Sequence, residues 1–108
     1  MTAPTATARA LRIVEILASR YYDGLSNKEI ATALHTSAVN ASRDMKVLEQ
    51  AGWAKRLESG RWSLTTKPLQ IMQAYTTHAG NIQGRMAETT HNIMAGAARI
   101  ADSGRKEA

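Results

Sequence analysis

The sequence predicts a mainly α chain with a small β-hairpin and a long C-terminal helix. Three observations carry this. Two closely spaced helix-start signals lie between Ser26 and Gly52. Two short strand-like runs flank Glu58-Ser59-Gly60. A heptad-like apolar pattern then runs from Met72 to Ile100.

The helix pair organises the rest. Ser26-Asn27-Lys28-Glu29 is a capping box, in which the Ser26 hydroxyl accepts from the Glu29 amide while Glu29 reaches back. That helix runs through Ile30, Ala31 and Leu34, and His35-Thr36 makes a corner. Ser37 then caps a helix from Ala38 to Ala51, with Gly52 as its terminator. Ala41, Met45 and Leu48 form its inward stripe. Asn40, Arg43 and Lys46 lie on the opposite face, which is short, polar and positive, as suits a helix laid in a DNA major groove. The bland alternative is a helical hairpin with a solvated charged face.

Before this pair, Thr5 or Thr7 caps a first helix that ends near Arg20. Ala10, Ile13, Val14 and Leu17 face inward, while Arg9, Arg12, Glu15 and Arg20 stay outside. Asp23-Gly24 is a turn signal, and Leu25 can add one strand residue. After Gly52 the period changes. Trp53–Leu57 and Arg61–Thr65 read as a hairpin, with Trp62 and Leu64 on the core face and the direction of Trp53 open. Lys55, Arg56 and Arg61 cluster near its tip, so the ribbon can lie as a wing along phosphates or the minor groove. A plain hairpin that closes the core fits the same residues.

Thr66 and Pro68 start the next helix. Met72, Tyr75, Ala79, Ile82, Met86, Thr89, Ile93, Gly96 and Ile100 then alternate steps of three and four, the spacing of a coiled-coil seam. Gly80, Gly84 and Gly96 weaken it, each costing about 1 kcal/mol against Ala. The favoured reading is one long or slightly kinked helix; the rival is a break near Gly80-Asn81 and two helices that fold back. Met72, Tyr75, Ala79, Ile82, Met86, Ile93 and Ile100 are the expected dimerisation residues, because a small domain leaves so long an apolar stripe uncovered. The expected organisation is a DNA-binding unit over 1–67, a helical dimerisation segment over 68–101 and a disordered tail over 102–108.

The charge distribution agrees with a polyanion partner. Residues 1–67 hold ten Lys/Arg and six Asp/Glu, a net of +4, against +1 for the four and three in 68–108. With no Cys there is no disulfide, thiolate metal site or Cys nucleophile. His35, His78 and His91 form no metal-ligand spacing, and nothing resembles a nucleophile elbow or a phosphate-binding glycine loop. No enzyme activity, cofactor or metal is therefore expected. No apolar run approaches ~18 residues and no signal-peptide core is present, so the expected location is cytoplasmic, without a membrane partner.

The order of these elements is that of a winged helix-turn-helix, and the residues go further. Ala8 to Leu17, Gly24-Leu25-Ser26, Glu29-Ile30-Ala31, Arg43, Leu48 to Gly52 and Gly60 to Leu64 resemble the N-terminal DNA-binding domain of IclR-type transcriptional regulators, over roughly residues 8–67. The resemblance implies operator binding as a dimer and no catalysis. Arg43 matches the family's recognition-helix arginine, and Ser26 the start of its second helix. Trp62 stands where the wing usually has Tyr, His35 replaces the usual turn Gly, and Val39 replaces a small hydroxyl residue. The family's ligand-binding domain has no counterpart in this sequence, so no small-molecule effector is implied.

The candidate readers of base edges are Arg43 and Asn40, flanked by Ala38, Val39 and Ser42. Asn27, Lys28, Thr36 and Ser37 lie at helix N-termini, which suit phosphates. Lys46, Lys55, Arg56, Arg61 and Lys67 are further phosphate candidates, about half of them expected to be bystanders. The leading expectation is a sequence-specific homodimeric regulator bound to double-stranded DNA. The alternatives are an architectural or accessory DNA-binder of a mobile element, and a protein-interaction module on the same scaffold.

Overall fold

A computed structural model describes residues 4–20, 22–79 and 86–107. Helix α1 (Ala6–Leu17) opens at Thr5, whose hydroxyl accepts from the Ala8 amide. Helix α2 (Asn27–Ala33) starts with the full capping box, Glu29 N–H to Ser26 Oγ and Ser26 N–H to Glu29 Oε1, both 3.1 Å. Helix α3 (Ala38–Gln50) is capped by Ser37, whose hydroxyl accepts from the Asn40 amide. Strands β1 (Ala54–Arg56) and β2 (Trp62–Leu64) form an antiparallel hairpin with Ala54 opposite Leu64 and Arg56 opposite Trp62. Leu25 bridges the other edge of β2, exchanging two backbone hydrogen bonds with Trp62. The chain is thus mainly helical with one small sheet.

The core follows from the apolar periods. Ile13, Ile16 and Leu17 of α1, Ile30 of α2, and Ala41, Met45 and Leu48 of α3 are buried together with Leu25, Ala54 and Trp62. Trp53 packs partly against this cluster. Trp62 does the work a Phe would otherwise do: its ring is buried, and its indole N–H donates to Asn27 Oδ1 at 2.8 Å, so the ring's own donor is paired. Arg9 does not stay outside as its helix period suggested. Its guanidinium grips Asp44 through Nε–Oδ2 at 2.7 Å and Nη2–Oδ1 at 3.2 Å, and so ties α1 to α3.

The C-terminal third differs from the expectation of one long helix. Helix α4 (Lys67–Ala79) and helix α5 (Met86–Glu107) are separate, and α5 packs against α1. Near its end, Gly104 is buried against Ser19 and the Ile16 carbonyl, and Arg12 donates to Ser103 Oγ at 3.2 Å. The first turn of α4 shares a cavity with Leu17, at the end of α1. Both ends of the segment therefore return to α1, which a single straight helix of some 60 Å could not do. Residues 102–107 are helical rather than a disordered tail. The physical reason is Gly104: without a Cβ it lets α5 approach α1 closely, and this docking orders a polar sequence. Of the expected seam, Ile82 lies outside the described residues, Ala79 closes α4 and Met86 opens α5. Met72, Tyr75 and Ile93 are exposed and Ile100 is half-buried.

Candidate nucleic-acid interface

The surface of interest is built on α3, the first turn of α2 and the hairpin. The α2–α3 corner turns at His35, whose φ of 53° is the left-handed conformation the turn requires. Beyond it, the buried stripe of α3 leaves Val39, Arg43, Lys46, Val47 and Gln50 on the exposed side. Asp44, one of the two acidic residues of the helix, is turned away, 5% exposed and paired with Arg9. That pairing raises the Arg9 pKa above its ordinary value, chiefly through the hydrogen bond to Asp44.

The structure sorts the candidate cations into two groups. The Arg61 guanidinium is held at three points: Nε donates to the Asp23 carbonyl, and Nη2 donates to the Gly24 carbonyl and pairs with Glu29 Oε1 at 2.6 Å. Arg56 lies 4.4 Å from the centre of the Trp62 ring, a cation–π contact. These two arginines brace the hairpin. By contrast, the side chains of Lys28, Arg43, Lys46 and Lys55 are exposed and carry no ion pair or hydrogen bond among the described residues. Lys67 is half-buried at the head of α4.

The polar candidates divide in the same way. The Asn27 carbonyl oxygen is taken by Trp62. Asn40 Nδ2 donates to Thr36 Oγ1 at 3.0 Å, which fixes the amide while leaving Oδ1 and the second N–H for a base edge. Ser37 caps α3, Ser42 is half-buried, and Ala38 and Val39 are exposed. Val47, 60% exposed, was not singled out from sequence; its position four residues after Arg43 is the signal that would have found it. The Glu29 carboxyl, between Ser26, Arg61 and Arg20, is held below the usual carboxylate range. The Ser26 amide is the largest cause, partial burial opposes it, and the Ser26 hydroxyl and the two arginines add to it. Among the described residues, no helix is long and apolar enough to cross a membrane.

The chain matches no protein-family model, no curated protein and no solved structure.

Proposed function

We propose that this chain is a sequence-specific, double-stranded DNA-binding regulator of the winged helix-turn-helix kind. In this reading it works in the cytoplasm as a homodimer. Helix α3 enters the major groove, and the hairpin lies as a wing on the backbone or in the minor groove. The observation that carries the reading is the exposed side of α3. It presents Arg43 and Lys46 unpaired, while its Asp44 is turned inward and paired with Arg9. An accessible cationic helix face is what groove entry requires. Arg43 can take the O6 and N7 of guanine, Asn40 the N6 and N7 of adenine, and the methyl groups of Val39 and Val47 can meet thymine methyls. Lys28 and Lys55 would hold flanking phosphates. The resemblance to IclR-type DNA-binding domains points the same way.

The dimer is part of the same proposal. Met72 and Tyr75 of α4 and Ile93 and Met94 of α5 are exposed apolar side chains, and a second copy would cover them. The test is selection from a pool of random duplexes at two salt concentrations. A two-fold symmetric motif is the expected result, with half-sites one or two turns of ~10 bp apart. Failure to retard any duplex at low salt would sink the proposal. Binding that is steeply salt-dependent but selects no motif would replace it with the architectural reading.

A further inference from the structure

We infer that the cavity between the end of α1, the hairpin and the first turn of α4 binds a small amphipathic carboxylate. The cavity measures about 260 Å³. Leu17, Leu64, Pro68 and Leu69 give it apolar walls; Thr65 and Thr66 also line it, with hydroxyls bonded to the Gly52 carbonyl and the Gln70 amide, and the polar side chains of its strands are Lys55 and Ser63. Those two residues are cross-strand partners, so their side chains leave the same face of the ribbon. Among the described residues, no acidic side chain lines the cavity.

The chemistry follows from what these two groups lack. The Lys55 ammonium has no acidic partner among the described residues. Ser63 is 3% exposed, yet its hydroxyl makes only a 3.3 Å contact with the carbonyl of the next residue. Good O–H···O bonds are nearer 2.7 Å, so this donor is poorly used. An ammonium and an underused hydroxyl side by side suit one carboxylate group. The apolar walls suit a hydrocarbon or aromatic body behind it. At about 30 Å³ per water-sized group, the volume holds roughly nine non-hydrogen atoms, the size of an eight-carbon fatty acid or a benzoate. A protein helix is too large to enter. This inference rests on the cavity of the DNA-free chain; a phosphate and the carboxylate would compete for Lys55.

The test uses the full chain without DNA, titrated with octanoate and with 1-octanol as the neutral probe. Binding is read by calorimetry and by backbone amide chemical shifts. Octanoate is expected to bind more tightly than octanol and to shift the amides of Leu64 and Leu69. Lys55→Met is expected to weaken octanoate about tenfold while leaving octanol unchanged. Leu69→Ala, at a largely exposed wall position, is expected to weaken both probes without disturbing the fold. Absence of shifts at millimolar octanoate overturns the site. Equal affinity for octanoate and octanol, or wild-type octanoate binding by Lys55→Met, overturns the assignment to carboxylates.

Discussion

Single residues decide how the hairpin is held. Gly24 has φ 67° and lies under the Trp62 carbonyl, where a Cβ would collide with that oxygen and stand 3.0 Å from its carbon. Gly60 has φ 88° but nothing near it. Gly24→Ala is expected to cost about 2–4 kcal/mol, left-handed strain plus a broken Leu25–Trp62 rung, against about 1 kcal/mol for Gly60→Ala. Urea unfolding of the two variants measures the difference, and equal losses would refute the steric account. Glu29 gives a pH signature. Its folded pKa is depressed, so it contributes stability that is present above its unfolded value and lost as pH falls through the folded one. Glu29→Gln keeps an oxygen for the Ser26 amide and loses the charge that Arg61 and Arg20 face. It is therefore expected to be less stable than wild type at pH 7 and to approach it as pH falls through and below the ordinary carboxylate range. A gap that stays constant over that fall would refute the assignment.

At the scale of elements, α3 and the hairpin should separate by function. If Lys46 meets a phosphate, Lys46→Ala weakens all duplexes alike and lowers the salt slope by about 1. If Arg43 reads a base, Arg43→Ala costs about 1–3 kcal/mol, concentrated at one position of the site. Arg61→Ala is expected to leave the salt slope unchanged and to lower stability instead, because Glu29 and two backbone carbonyls already hold its guanidinium. Binding isotherms at four salt concentrations, beside thermal unfolding of each variant, check all three. This separation also marks what was legible in the sequence. Caps, turns and inward stripes are local, so Ser26, Ser37, Gly52 and the Ala41-Met45-Leu48 stripe could be read directly. The partner of a long side chain is not local. Arg9 meets Asp44 thirty-five positions away and Arg61 meets Asp23 and Gly24 across the fold, so counting basic residues could not tell braces from free cations. Salt bridges of this kind appear in sequence only as charge.

The whole molecule is closed by α5, the part read least well from sequence. Seam positions keep their three-and-four spacing from Met72 to Ile100, although they belong to two helices, α4 closing at Ala79 and α5 opening at Met86. Periodicity reports which face is apolar and says nothing about whether the helix continues. Gly104 is equally ambiguous: in a polar tail a glycine reads as a helix breaker, whereas here it packs against Ser19 and the Ile16 carbonyl at the end of α1. The two meanings predict opposite outcomes for one substitution. On helix propensity alone, Gly104→Ala should stabilise α5 by about 1 kcal/mol. In the packed structure the added Cβ would overlap the Ser19 hydroxyl and stand 2.7 Å from Ser19 Cβ, so α5 has to lift away from α1. A net loss of about 1–3 kcal/mol is expected, a fall in Tm of roughly 4–20 °C for a domain of this size. Ser19→Gly removes the atoms in the way, so the double variant Ser19→Gly/Gly104→Ala should recover much of the loss. Such recovery is a coupling between positions eighty-five residues apart, which a free tail cannot produce. A stabilised Gly104→Ala, or strict additivity of the two changes, would mean that α5 does not dock on α1. The C-terminal apolar faces would then belong to a detached arm available to pair with a second copy.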